Sequence, residues 1–553
     1  VSGRVTARVR EVGDSALVLE IGDLEPGQAC LDEDVSRQVT AVARVVKRRG
    51  IPGVRDVLPT FQSVVVWFDP LSGDAAAIAA ALHEGANAAP DAAGRVHTVP
   101  ASYGGADGPD LEAVAEFAGC SADEVVARHT SRAYRVFMLG FLPGFAYMGS
   151  VDPGIAAPRL ATPRLCVPAG SIGIAGQQTG IYPVDSPGGW RIVGRACVTP
   201  FDAERLPPSL FAAGDTVQFV AVHAGAFPDA GPRSPGRATR ATADIAGHVT
   251  VLHPGLQTTV QDSGRWGYQD LGVPVSGPMD PVAHRLANVL VGNRRDAATL
   301  EVTWLGPRLR MEQDTSVALT GADLGATLDG ADLPRHTRVT CHAGSEVGFG
   351  ARRSGARGYV AFGGGIVTRP VLGSRATHVR SGLGGFSGRP LKSGDRLPLG
   401  HASGVAPRTP VSLKDLPTGG ARLRVLRGPQ AEYFTQSDFD ALRRSRYTIS
   451  AKSDRMGYRL TGGARVASSV GGTMLSDAAF VGGIQIPPSG DPLLLMADRP
   501  TTGGYPQIAV VISADLGVAA QLGPGDWVEF EACSRADAVA ALVAQEGRLL
   551  AVR

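Results

Sequence analysis

Apolar and polar positions follow two different periods in the first part of the chain. SALVLEI, VRDVLP and SVVVWF are short apolar runs bounded by turn formers, the pattern of strands, whereas VSRQVTAVARVVKRR and AAAIAAALHEG repeat apolar positions at helical spacing. Together they predict an α+β lobe over residues 1–95. Between 96 and 224 glycine, proline and short β-rich segments replace the helical period, which predicts an antiparallel barrel with many tight turns. The stretch 225–248, GAFPDAGPRSPGRATRATADIAGH, has no apolar period and reads as a solvated linker at a fusion seam. Strand-like runs then resume and predict two further β units, over 249–410 and 411–553.

Phrases recur between these units. AGSIG at 169–173 returns as AGSEVG at 343–348, and GGWRIV at 188–193 is echoed by GGYPQIAVV at 503–511 and more weakly by RGYVAF at 357–362. AGDTVQF (213–219), SGDRLPL (393–399) and PGDWVEF (524–530) repeat a turn-plus-strand phrase near the end of each unit. Gly-Asp before an alternating strand is common turn chemistry, so convergence competes with duplication; three related barrels are the simplest account.

Composition narrows the functions open to such a chain. With 553 residues, 44% hydrophobic and 19% charged content and a net charge of +2, it has neither the field nor the basic clustering of a nucleic-acid binder. A start without an apolar leader and the lack of a spanning-length apolar run predict a cytoplasmic protein with no membrane partner. Six scattered cysteines and eleven histidines show no metal-ligand spacing, so no metal is predicted and the cysteines read as buried thiols. There is no phosphate-binding G-x-x-x-x-G-K-[ST] loop, no lysine in a biotin-attachment setting and no G-x-S-x-G elbow. An ATP step therefore needs another kind of site or another subunit, and biotin would have to arrive on a partner.

Two dense segments carry the candidate chemistry. In GFLPGFAYMG (140–149) and the run 157–195, Phe141, Phe145, Tyr147, Tyr182 and Trp190 can wall a flat pocket, Arg159 and Arg164 can grip an anion, and Gly188 and Gly189 bring backbone amides close. In TTVQDSGRWGYQDLGVPVSGPMD (258–280), Gln261, Asp262, Arg265, Gln269 and Asp280 sit on glycine-broken backbone. Further on, GGIQIPPSG supplies Gln485, and MADRPTTGGYP supplies Thr502, Gly503, Gly504 and Tyr505. Asp454-Arg455 and Asp498-Arg499 are Asp-Arg dipeptides among glycines and apolar strands. For any one of these residues, core aromatics, surface arginines and solvated ion pairs are the commoner reading; the clustering favours a site.

These strings resemble a known family. GFLPGFAYMG, VPAGSIGIAG, TGIYP and SPGGW are similar to the first allophanate-hydrolase-type subunit over residues 8–223, while TTVQDSGRWGYQDLG, SGPMD, LEVTWLGP, GGGIVTRPVLGSRAT, SDRMGYRL, GGIQIPPSG and MADRPTTGGYP resemble the second over 249–530. The family comprises 5-oxoprolinase accessory subunits, the carboxyltransferase part of urea carboxylase, and a pair acting on a sporulation histidine kinase. The resemblance implies a mostly β protein with an α+β N-terminal lobe and cyclophilin-like barrels, one in the first half and two in the second. It implies a small cyclic amide substrate such as 5-oxoproline, a separate large subunit, ATP bound there or here, and, in the carboxyltransferase alternative, biotin carried by a partner. A homo-oligomer is left open. A lactam ring and the biotin ureido ring both place N–H beside C=O, so both require donors aimed at that oxygen. The amides at 188–190 or 502–504, aided by Arg499 or Arg455, are the expected donors; Asp498 or Asp454 is the expected general base; Arg159 or Arg164 is expected to hold the substrate carboxylate.

Overall fold

The computed structural model describes residues 6–22, 31–90, 94–223, 245–402, 416–471 and 474–551. The protein is mostly β, with an α+β lobe first. In that lobe four antiparallel strands, Ala7–Val12, Ala16–Ile21, Val54–Pro59 and Ser63–Phe68, pair in the order first, second, fourth, third. Helices Glu33–Arg49 and Ala75–Asn87 cover one face, packing Val39, Val42 and Leu82 on Leu19, Val64 and Val66. The longer helix has its signals in place: the Asp32 carboxylate accepts from Asp34 and Val35 N–H at the start, and Gly50 leaves the helix at φ 55°. The other sheet face presses Val18, Val65 and Trp67 against Phe480 and Val510 of the C-terminal half. Burial on both faces explains why SVVVWF is apolar throughout and does not alternate.

Two closed seven-stranded barrels follow. The first uses Val96–Tyr103, Ala133–Leu139, Ala146–Gly149, Ser171–Ala175, Gln178–Ile181, Arg191–Ala196 and Thr216–Ala221 around Val99, Val136, Ile174 and Phe219. The second uses Gly420–Arg427, Tyr447–Ile449, Gly457–Thr461, Gly483–Gln485, Leu493–Leu495, Gln507–Val511 and Trp527–Ala532 around Leu423, Ile484, Leu494 and Phe530. Counted in chain order, both rings run first, sixth, fourth, fifth, third, second, seventh, and in both the first and seventh strands close the ring in parallel. Each also carries a small ladder between the same connections, Arg164–Val167 with Ser186–Gly188 and Asp477–Ala478 with Thr502–Gly503. GGWRIV and GGYPQIAVV both enter the sixth strand, and AGDTVQF and PGDWVEF both turn into the seventh. Their recurrence thus marks equivalent places in equivalent barrels.

The unit between them is built differently. A six-stranded and a five-stranded sheet enclose one core of Val251, Leu300, Leu309, Val360 and Phe362, without closing into one ladder. Helix Pro281–Leu290 lies on the five-stranded sheet, and Leu549 of the C-terminal helix Arg535–Leu550 packs into the same cluster. Most of the expected linker, and the expected boundary at 410, lie outside the described residues. The thiols depart from expectation: of the five described, Cys341 is buried, whereas Cys166 and Cys197 are exposed, Cys166 on a ladder strand outside the barrel ring and Cys197 just past a barrel strand.

Candidate active site

The first barrel, the middle unit and the second barrel meet at the Gly140–Phe145 loop. Phe141 N–H donates to Thr502 Oγ1 at 3.1 Å and Gly144 N–H to the Leu271 carbonyl at 2.8 Å. The approach is too close for side chains: a Cβ at Gly140 would run into the Thr502 hydroxyl, and one at Gly272, which sits at φ 73°, into the Leu142 carbonyl. Phe141 itself is held at φ 65° and Ser276 at φ 56°, a region bulky and ordinary residues avoid, so the junction carries backbone strain. The Tyr147 hydroxyl reaches the side chains of Ser476 and Thr502 from the first barrel.

Beneath this junction lies a buried ionic cluster. Arg455 donates to both oxygens of Asp498, Nε to Oδ2 and Nη2 to Oδ1, each at 2.9 Å, and its Nη1 pairs with Glu301. Its Nη2 also reaches the Gly277 carbonyl at 2.7 Å. Asp498 Oδ1 accepts from Ser276 Oγ at 2.7 Å, and Glu301 Oε2 accepts from the Tyr359 hydroxyl at 2.7 Å and Met279 N–H at 2.8 Å. Burial by itself pushes the Asp498 carboxyl up; the Arg455 charge and the Arg455 and Ser276 hydrogen bonds override it and leave the group below its ordinary range. Burial opposes the Arg455 charge, yet Asp498 and Glu301 hold it above its ordinary value. His378, buried beside Asp498, is lowered by desolvation.

A second charge sits next to the first. Arg499 Nε donates to the Ala479 carbonyl at 2.9 Å and Nη2 to Gln269 Oε1 at 3.1 Å, and burial brings its guanidinium down to about 10. The lobe reaches this region through Asp56, whose Oδ2 accepts from Gly267 and Gln269 N–H at 2.9 and 3.3 Å; burial raises that carboxyl to about 6. At the rim, the Arg380 guanidinium stands 6.0 Å from the Phe141 ring centre and donates to Met456 Sδ at 3.3 Å. Four buried polar atoms on these segments have no partner among the described residues: Gln261 Oε1, Arg265 Nη1, Gln269 Nε2 and Thr501 Oγ1. The set offers donors for a carbonyl and an acceptor for an N–H.

The structure brings Asp498, Arg499, Arg455, Phe141 and Thr502 together, along with Gln261 and Arg265, which reach Thr377 and Ala376 carbonyls on the same side. Asp262 fastens the neighbouring loop, accepting from Ser374 Oγ at 2.6 Å and from Arg375 N–H. Gln485, Gly503, Gly504 and Tyr505 lie one layer out: Gln485 Nε2 donates to the Tyr505 carbonyl at 3.3 Å, and the Gly504 carbonyl accepts from Met474. Asp454 is exposed and caps its own turn, accepting from Met456 N–H at 2.8 Å. Phe145, Tyr147 and Trp190 pack edge-on into one another as a buried cluster behind the loop. Arg164 is committed to a two-pronged pair with Asp110 at 2.8 and 2.6 Å, Arg159 is exposed, and Gly188 lies under the Tyr182 hydroxyl. Sequence reasoning missed Glu301, Tyr359, Ser276, His378 and Asp56. The one available signal was Glu301 itself, an unaccompanied acid inside the wholly buried strand Thr299–Thr303.

Known proteins match both halves. Residues 7–211 match the family model described as carboxyltransferase domain, subdomain C and D, and residues 271–532 match carboxyltransferase domain, subdomain A and B. The C-terminal half is 39% identical over 293 residues to the C-type subunit of 5-oxoprolinase from Escherichia coli K12, covering 53% of this chain and 94% of that one. The N-terminal half is 37% identical over 231 residues to the B-type subunit of 5-oxoprolinase from Bacillus subtilis 168, covering 39% of this chain and 94% of that one. This chain belongs to the carboxyltransferase-domain family of fused 5-oxoprolinase B- and C-type subunits. The solved structure of TTHA0988 extends the likeness to nearly the whole molecule, with a TM-score of 0.84 at 35% identity over 95% of this chain and 100% of that one. In family terms, the C/D part supplies the Gly140–Phe145 loop and Asp56, and the A/B part supplies the ionic cluster.

Proposed function

We propose that this chain is the paired B- and C-type component of an ATP-dependent 5-oxoprolinase, which cleaves 5-oxoproline to glutamate together with a separate large subunit. The observation that supports this reading is that regions similar to both kinds of subunit are present in one chain and meet at one buried polar junction. The unpaired donors and acceptor at Arg265, Gln269, Thr501 and Gln261 complement the C=O and N–H edge of a small cyclic amide. ATP, bound on the large subunit or on this chain, would supply the phosphoryl group that activates the lactam oxygen. Within this chain Arg455 and Arg499 bring positive charge to the site where that oxygen gains charge, each such donor being worth roughly 3 kcal/mol. Asp498 takes a proton from the attacking water and passes it to the ring nitrogen as the C–N bond opens, and the phosphoryl group leaves as inorganic phosphate. Asp454, exposed and bound into its own turn, is set aside as the base, and Arg159, exposed where Arg164 is paired, remains the candidate for the substrate carboxylate.

The test is 5-oxoproline-dependent ATP hydrolysis by the purified chain with and without a large-subunit partner. Activity is expected only in the mixture, and Asp498→Ala is expected to abolish it while the complex still assembles. Activity of the mixture that survives Asp498→Ala overturns the base assignment. The family description, carboxyltransferase domain, favours a second reading in which the same cleft serves biotin carried by an external carboxylase. Transfer of carboxylate from a carboxybiotinyl carrier to urea, with no 5-oxoproline turnover in the mixture, would establish it.

A further inference from the structure

The cluster around Asp498 contains two carboxylates and one guanidinium. Arg455 pairs simultaneously with Asp498 and with Glu301, whose side chains are 8% and 1% exposed. A buried carboxylate in an undivided two-pronged pair with arginine is a poor base, because protonating it discards the whole ion pair. Here the two-pronged pair is intact, but a second carboxylate shares the charge of the same arginine. Glu301 draws on Nη1 and is itself held by the Tyr359 hydroxyl and Met279 N–H; the same Tyr359 oxygen accepts from Asp280 N–H at 2.8 Å.

We propose that Glu301 and Tyr359 are positioning residues that share out the Arg455 charge and so keep Asp498 a working base. Neither donates to nor accepts from Asp498; both act through Arg455. The inference rests on Asp498 being the base in the proposed reaction. The other charged or titratable groups facing Asp498 are His378 and Arg265 from the middle unit, with Ser276 Oγ bonded to it, and these are the same in every variant compared.

The two residues pull in opposite directions. Removing the Glu301 charge gives Arg455 wholly to Asp498, which lowers its proton affinity. Removing the Tyr359 hydroxyl leaves Glu301 less neutralised, so that it takes more of Arg455 and Asp498 gains proton affinity. With the full chain and its large-subunit partner, 5-oxoproline-dependent ATP hydrolysis is followed from acid to neutral pH. Glu301→Gln is expected to move the acid limb of kcat down by about one pH unit and to lower the plateau about tenfold with KM unchanged. Tyr359→Phe is expected to move the limb up by about half a unit. Limbs that move together, or stay in place while Asp498→Asn is inactive, overturn the inference and leave the base assignment standing. An active Asp498→Asn removes the base assignment itself, and the inference with it. If Glu301→Gln does not fold, Tyr359→Phe decides alone: an upward shift supports the inference, and an unmoved limb overturns it.

Discussion

His129 illustrates what full burial does to a titratable side chain. It lies inside the first barrel with Tyr103 Oη 2.8 Å from Nδ1 and Thr179 Oγ1 3.0 Å from Nε2. Thr179 spends its own proton on the Gly173 carbonyl at 3.0 Å, so the histidine donates from Nε2 and accepts at Nδ1 from tyrosine. Both nitrogens are satisfied in the neutral form, and desolvation lowers the group to about 3. Since the folded value lies below the ordinary 6.5, the unfolded chain binds the extra proton between these limits. The stability from neutral His129 is complete above about 6.5 and falls by about 1.4 kcal/mol per pH unit as pH drops toward about 3. His129→Gln is expected to flatten the fall of Tm between about pH 6.5 and 4 by that share. At this scale the sequence was legible where chemistry stood side by side. Asp498-Arg499 and Asp454-Arg455 stand out as dipeptides, yet the buried ion pair crosses between them, Arg455 with Asp498, because the chain returns to that spot through different strands. Glu301 and Tyr359 were illegible, since only the ladder between their strands sets them within reach; Glu301 lies directly opposite Tyr359 in it.

Among the elements, legibility follows how far each one's partners are from it in sequence. The helix Glu33–Arg49 could be read from its own residues, with a cap at one end, a glycine at the other and basic residues in its last turn. The C-terminal helix is similarly self-contained: Ser534 and Asp537 form a reciprocal capping box on its exposed first turn. Ser534→Ala is expected to cost about 1 kcal/mol, measured by urea denaturation, while leaving activity within about twofold. The repeated turn phrases located the sixth and seventh strands of both barrels. What they did not convey is the way the middle unit opens into two sheets, because AGSEVG and SGDRLPL carry the same turn chemistry whether or not the ring beyond them closes. Ring closure depends on pairing between strands far apart in the chain, and short phrases do not encode it.

At the scale of the whole molecule, the candidate site belongs to no single unit. The lobe contributes Asp56, the first barrel Phe141 and Tyr147, the middle unit Ser276 and Glu301, and the second barrel Arg455 and Asp498. The halves are further tied by Asp14 accepting from Ser513 N–H and Oγ at 2.8 and 2.6 Å, by Ser63 with Asp477 at 3.1 Å, and by the apolar seam of Trp67 on Phe480. The relatives that match one half each are separate B- and C-type subunits of 5-oxoprolinase. Here the second half is tethered, so its effective concentration is set by the connecting chain and not by how much protein is present. Serial dilution should therefore leave the specific activity of this chain flat, at saturating large subunit, through a range in which a two-chain homologue loses activity by dissociation. A cell making this form needs no matched dosage of two gene products to bring the two halves together.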